Sequence, residues 1–221
     1  MRIVCAGCSH GRHSQLVVPE GNTLIHTGDY SRRGDKWDAI DFLKWLESQP
    51  HRHKIFVDGN HDGYSEDCPD GMRSLIAEHA PSCHYLNDSG VTLDGVRFWG
   101  SPVTTFFLDW WWNRKRGPEI RAHWDLIPDD TQVLVTHGPA YGHLDLVSAE
   151  YVENGRDRHQ GCADLKTTIE TRLSKLKCHA FSHLHSQGNQ TEVVDGITYI
   201  NASVVGEDYR VRGDIQVVDI D

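Results

Sequence analysis

Lys54-Ile55-Phe56-Val57-Asp58-Gly59-Asn60-His61-Asp62 passes from an apolar run into a glycine followed by three side chains that can bind a metal ion or move a proton. β-Branched and aromatic residues that stop at Asp-Gly read as a short strand ending in a tight turn. The same construction recurs on either side. Arg2–Ala6 runs into Gly7-Cys8-Ser9-His10-Gly11, Thr23–Thr27 into Gly28-Asp29, Gln132–Thr136 into His137-Gly138-Pro139, and Cys178–Phe181 into Ser182-His183-Leu184-His185. Strands whose downstream ends carry His, Asp, Asn, Cys and Gly describe an α/β protein with a site at the C-terminal edges of its strands.

The intervening segments fit that class. From Lys36 to Leu46, the residues Trp37, Ile40, Phe42, Leu43, Trp45 and Leu46 recur at three- and four-residue spacings, and Leu165, Ile169, Leu173 and Leu176 repeat the stripe. Both predict amphipathic helices. Asp94-Gly95 and Asp195-Gly196 each lie between apolar runs and predict β-hairpins. Strand, helix, strand and then hairpins predict a mixed sheet, or two packed sheets, with helices outside. At 221 residues, with no repeat or linker, the chain reads as one domain, residues 1–221.

Lys and Arg number 22 against 32 Asp and Glu, and the net charge of −10 offers no basic face for a nucleic-acid polymer or a membrane. Neither is an expected partner. The apolar start at Met1–Cys8 is too short for a signal peptide, and no stretch approaches about 18 apolar residues, so a cytoplasmic protein is expected. The six cysteines lack framework spacing and should be reduced. Cys5 and Cys8 point to opposite faces of a strand and make no redox pair. Fifteen histidines are the unusual count, because imidazole is both a common metal ligand and a proton carrier near neutral pH.

Any one of the five clusters is ordinary turn chemistry, in which His, Asp or Asn hydrogen-bonds nearby backbone. In this order, over about residues 3–203, they resemble the calcineurin-like metallophosphoesterases, whose motifs read D-x-H, G-D, G-N-H-[DE], H and G-H-x-H. More closely, Leu24-Ile25-His26-Thr27-Gly28-Asp29, Asp58-Gly59-Asn60-His61, Thr136-His137-Gly138-Pro139 and Tyr199-Ile200-Asn201-Ala202-Ser203 resemble the metallophosphoesterase-domain-containing branch first noted in vertebrate brain. That branch holds metal-dependent phosphodiesterases acting on cyclic nucleotides. The resemblance implies two packed mixed β-sheets flanked by helices, a four-layer αββα sandwich. It also implies one or two divalent transition metals, drawn from Mn, Fe, Zn, Co or Ni, which suit imidazole, carboxylate and amide ligands. By the same resemblance Asp29 would bridge two metals, Asn60, His137 and His183 would complete the second, and Cys8, His10 and His185 would serve the first. His61 would stay off the metals and face the leaving oxygen as general acid or hydrogen-bond donor.

Cys8 stands where the family motif has aspartate. A thiolate is the softer ligand and favours Zn or Fe. RNA lariat debranching enzymes carry a similar Gly-Cys-x-His-Gly, which implies reliance chiefly on the second metal; the bland alternative is a small buried residue. Arg32 occupies a position that is acidic in protein phosphatases, which leaves His61 without an acidic partner there and argues against that activity. Trp110, Trp111, Trp112 and Arg114, with Arg32, form a candidate substrate-binding set, since aromatic faces and cations together hold a nucleotide. The run equally reads as a loop packed on the core. Asp62 reads as orienting a histidine or as capping a helix. His13, His26 and His143 are expected outside the ligand set, and His51 and His53 to be solvated in a polar turn. The expected function is a metal-dependent phosphodiesterase acting on a small nucleotide-like substrate. The alternatives are a phosphomonoesterase, a debranching-like nuclease or a non-catalytic metal-binding module.

Overall fold

Strand β1 (Arg2–Ala6) shows how the chain divides its interior: Ile3 and Cys5 enter one apolar cluster, Val4 and Ala6 another. A strand buried on both faces needs a layer on each side. The computed structural model describes residues 1–152 and 157–220. After β1 come β2 (Thr23–His26), α1 (Lys36–Glu47), β3 (His53–Phe56), α2 (Gly63–Asp67), α3 (Pro69–His79) and β4 (Cys83–Tyr85). Next are β5 (Ser89–Leu93), β6 (Val96–Ser101), the short pair β7 (Thr104–Thr105) and β8 (Asn113–Arg114), α4 (Pro118–Trp124) and β9 (Val133–Thr136). The described chain ends through α5 (Ala163–Arg172), β10 (Cys178–Phe181), β11 (Gln190–Val194), β12 (Ile197–Asn201) and β13 (Gln216–Asp219).

One sheet has the order β13-β1-β2-β3-β4, the other β11-β12-β10-β9-β6-β5. Strands β1 to β4 are parallel, as are β12, β10, β9 and β6, while β13, β11 and β5 add antiparallel edges. Ile3, Ile25 and Ile55 of the first sheet meet Phe98, Val133, Ala180 and Ile200 of the second. On the first sheet's outer face, Leu24 and Phe56 pack with Phe42, Leu43, Met72 and Leu75 of α1 and α3. On the second, Leu134, Phe181 and Tyr199 pack with Ile120, Trp124, Leu165 and Ile169 of α4 and α5. The four-layer αββα sandwich expected from the sequence is therefore the fold.

Local chemistry sets the ends of these elements. Asp35 caps α1, its carboxylate accepting from Trp37 N at 2.8 Å and Asp38 N at 3.0 Å. Both hairpins turn on consecutive left-handed residues, Asp94 (φ +48°) with Gly95 (+83°) and Asp195 (+50°) with Gly196 (+80°). The helix stripes needed correction. Trp37 is 74% exposed and is no part of the core. α5 stops at Arg172, yet Leu173 and Leu176 remain buried in the turn beyond it. Cys5 lies in β1 and Cys8 in the turn beyond it, in different clusters, and all six cysteines are free. Among the described residues no helix is long and apolar enough to cross a membrane.

Candidate active site

The turns after β1, β2, β3, β9 and β10 meet at one edge of the sandwich, and their backbones bend sharply to do so. Cys8 (φ +47°), His10 (+42°), Asp29 (+56°) and His183 (+67°) all hold left-handed conformations without being glycine. Each such conformation costs about 1–3 kcal/mol and persists only where its surroundings enforce it. Gly59 shows how tight the meeting is, since a Cβ there would lie 2.4 Å from Asp29 Oδ1 and 2.5 Å from the His137 ring.

Asp29 is the meeting point. Its Oδ2 lies 3.2 Å from His137 Nε2, 3.8 Å from His10 Nε2 and 4.0 Å from Cys8 Sγ. His137 Nε2 is also 3.1 Å from Asn60 Oδ1, and His10 Nε2 is 3.4 Å from His185 Nε2. Two groups thus share Asp29: Cys8, His10 and His185 on one side, Asn60 and His137 on the other, with Cys8 also close to the Asp29–His137 pair and His61 to the His10–Asp29 pair. His183 adjoins the latter, its ring 5.0 Å from that of His137, without its donor atoms joining the tight groups of Cys8, His10, Asp29, His61, His137 and His185.

Proton bookkeeping tests whether these donors fit a metal. A carbonyl only accepts, so His137 Nδ1 donates to Thr27 O at 2.8 Å and His10 Nδ1 to Ser31 O at 3.3 Å. Each of these two imidazoles therefore aims its Nε2 lone pair inward. Burial, the largest cause, pushes His10 down to about 3 and lowers His185, so both rings are neutral. Burial also works against a charged Asp29, but His137, His61 and His10 outweigh it and hold the carboxyl well below its usual range. Imidazole nitrogens and a carboxylate oxygen thus face one another at 3.2–3.8 Å, a donor set that suits a divalent cation. Cys8 is fully buried, and burial followed by the nearby Asp29 charge pushes its thiol up, so metal binding there would release a proton. Its sulfur already accepts the His183 N–H at 3.1 Å.

His61 lies at the rim, its ring 4.7 Å from that of His10, and its backbone N–H donates to Asp29 Oδ1 at 2.8 Å. Its Nδ1 donates to the Arg32 carbonyl at 3.3 Å, so a main-chain oxygen takes the place of the missing acidic partner. The Arg32 guanidinium turns away, onto the carbonyls of His10 (3.2 Å) and Gly11 (3.0 Å). Asp62 stands at the N-cap position of α2, but its side chain makes no cap hydrogen bond there. Its carboxylate accepts from Asp29 N (2.7 Å), Gly59 N (2.7 Å) and Ser31 N (2.9 Å), which ties together the turns after β2 and β3.

The aromatic run divides three ways. Trp110 stacks on His61 at 4.2 Å with 28° between the rings. Trp111 covers Gly63 and donates to Asp67, while Trp112 is buried and donates to the Asp62 carbonyl at 3.3 Å. Arg114 pairs with Glu66 at 3.1 Å. Of the expected substrate contacts in this loop, only Trp110 faces the donor cluster. His51 and His53 are corrected too: His51 is buried and bonded to the Pro19 carbonyl, and His53 pairs with Asp94 at 3.0 Å, because the turn before β3 packs under its neighbours. His13, His26 and His143 bond Asp41, Ser9 and Glu192, away from the cluster. Tyr209, which no sequence pattern marked, sits edge-on to His10 at 4.8 Å and to His185 at 5.3 Å.

A sandwich of mixed sheets whose strand ends gather imidazole, carboxylate and amide donors around a shared aspartate is the framework of a metal-dependent phosphoester hydrolase. Residues 1–187 match the sequence profile of the calcineurin-like phosphoesterases, and the chain belongs to that family. Metallophosphoesterase domain-containing protein 1 of Homo sapiens is 32% identical over 240 residues, spanning 99% of this chain and 71% of that protein. A UPF0046 protein of Caenorhabditis elegans is 33% identical over 216 residues, spanning 92% and 69% respectively. The crystal structure of phosphopantetheinyl hydrolase from Mycobacterium tuberculosis has a TM-score of 0.57 at 16% identity, covering 94% of this chain and 90% of that one, a likeness of fold.

Proposed function

We propose that the chain is a phosphodiesterase acting on a small nucleotide-like diester, a cyclic nucleotide being one such substrate. The observation that carries this reading is the pose of His61: with Nδ1 committed to the Arg32 carbonyl, Nε2 is left to face a substrate oxygen at the rim of the donor cluster. Asn60, His137 and His183 would hold one divalent metal and Cys8, His10 and His185 another, with Asp29 shared. Bound there, such ions lower the pKa of a water and polarise the phosphoryl oxygens. Asp29 keeps His61 in register through the His61 N–H, and Trp110 supports the imidazole from behind. In this reading, His61 Nε2 donates a proton or hydrogen bond to the departing alkoxide.

Charge favours a diester over a monoester. The Arg32 and Arg114 side chains are engaged with carbonyls and with Glu66, so neither offers its full fork to a dianionic phosphate. The net charge of −10 likewise disfavours a nucleic-acid polymer as substrate.

The test assays metal-reconstituted protein, parent and His61→Ala, on a cyclic nucleotide, a nucleoside monophosphate, 2′,5′-branched RNA and a nitrophenyl phosphodiester. The variant should keep its metal and lose about 10²–10⁴-fold on the cyclic nucleotide, with a much smaller loss on the nitrophenyl ester, whose leaving group needs no proton. Metal lost with His61 would make it a ligand. Preference for the monophosphate or for branched RNA would replace the diester reading, and no ester cleaved with metal bound would make the chain a non-catalytic module.

A further inference from the structure

Gly206 to Arg212 form a closed turn beside the Cys8–His10–His185 group. Gly206 N donates to Arg210 O at 3.0 Å, Tyr209 N to Gly206 O at 2.8 Å, and Arg212 pairs with Asp208 at 2.9 Å. The Glu207 carboxylate accepts from Ser148 Oγ at 3.0 Å and from Ser186 Oγ, the hydroxyl next in sequence to His185. At the tip, Tyr209 holds φ +56°, a left-handed conformation that a bulky residue adopts only under constraint. That bend lays its ring across the two imidazoles, edge-on to His10 at 4.8 Å and to His185 at 5.3 Å, while the residue as a whole stays 43% exposed. One turn thus walls both rings.

We propose that Tyr209 is a positioning residue for the first metal, its ring holding the His10 and His185 imidazoles so that their Nε2 atoms converge on one point. The inference rests on the ligand reading above. His10 needs such a wall: its ring is held to the main chain by a long 3.3 Å bond to Ser31 O, and on another side it meets His61. His137, by contrast, has a 2.8 Å bond and no exposed surface. Groups that orient metal-binding imidazoles from outside typically govern 10–100-fold in affinity.

Cobalt(II) titration of the full chain tests this, with bound metal followed by equilibrium dialysis and the first site by the thiolate-to-cobalt band that Cys8 would give. Tyr209→Ala should weaken cobalt binding at the site carrying that band about tenfold and leave the other unchanged. Tyr209→Phe should bind like the parent. If Tyr209→Ala does not fold, Tyr209→Leu against Tyr209→Phe carries the same comparison, with the leucine variant the weaker. Unchanged first-site binding in folded Tyr209→Ala, equal weakening of both sites, or equal losses in the alanine and phenylalanine variants would each overturn the role of the ring. A parent that takes up no cobalt would instead overturn the ligand reading beneath it. A selective tenfold loss without any thiolate band would leave Tyr209 in place and remove Cys8 from the ligands.

Discussion

His137 and His10 aim the same ring nitrogen at the same Asp29 oxygen and both are buried, yet one lies wholly inside the sandwich and the other under the part-exposed side chains of His61 and Tyr209. Around His137 the supports are main-chain: the Thr27 carbonyl at 2.8 Å on one ring nitrogen and, beneath it, the ladder of β9 and β10. Around His10 and His185 they are mostly side chains, Tyr209 against both rings and His61 against His10, with the Ser31 carbonyl farther off at 3.3 Å from His10 Nδ1. A sealed half keeps its geometry without a ligand. An open half admits substrate and depends on walls that a single substitution can remove.

The largest effect should come from breaking the point the halves share. Asp29→Ala deletes the oxygen at 3.2 Å from His137 Nε2 and 3.8 Å from His10 Nε2, and the acceptor of the His61 N–H. Elemental analysis and metal titration should show both sites weakened by more than the ~100-fold that removal of an outer orienting group costs. If only one site weakens, Asp29 belongs to one half and the comparison fails.

How far the halves were legible follows from what a sequence displays. Asn60, His137, His10 and Asp29 stand in turns directly after apolar runs, so both residue type and placement were visible. The groups that orient the histidines are carbonyls of Thr27, Ser31 and Arg32, and a main-chain oxygen leaves no trace in residue type. Arg32 makes the point: its side chain drew attention, and its backbone does the orienting. Three adjacent tryptophans look alike in sequence, while their fates depend on which neighbour each meets, Trp110 a histidine, Trp111 a glycine and Trp112 the carbonyl of Asp62. In the fold, β1, β2, β3, β9 and β10 were readable because they are buried apolar runs. β4 and β13 have three and four residues and become strands only through their partners β3 and β1.

A smaller effect should come from Cys8, which touches both halves through the Asp29 oxygen at 4.0 Å and the His183 N–H at 3.1 Å. Cys8→Asp places a second buried carboxylate beside Asp29, and like charges there repel until a cation joins them. Its apo form should melt below the parent, and Mn(II) should raise its melting temperature by more than it raises the parent's. Cys8→Ala should leave the Asn60–His137 half intact and keep turnover if that half carries the reaction. Loss of activity in Cys8→Ala with Mn, Fe and Zn alike would make the thiolate indispensable and tie the halves more closely than their construction suggests.

The smallest effect on turnover should separate Trp110 from Trp112 and sharpen the contrast between mouth and interior. Trp110 gives one face to His61, and its contact with Trp111 is tilted, at 6.5 Å and 57°. Its other face is the one a nucleobase would use, and stacking of that kind is worth about 1–3 kcal/mol. Trp110→Ala should therefore weaken binding of a cyclic nucleotide by about that amount, measured as a rise in KM, with less change on a nitrophenyl phosphodiester and little change in melting temperature. Trp112 is 6% exposed, so its loss acts through the fold. Trp112→Ala should lower stability by about 3–5 kcal/mol, as removal of a buried aromatic does, and shift both substrates alike at temperatures where the protein stays folded. Equal losses on the two substrates in Trp110→Ala would mean that its ring serves only to hold His61, and the mouth would then contribute no base-binding surface of its own.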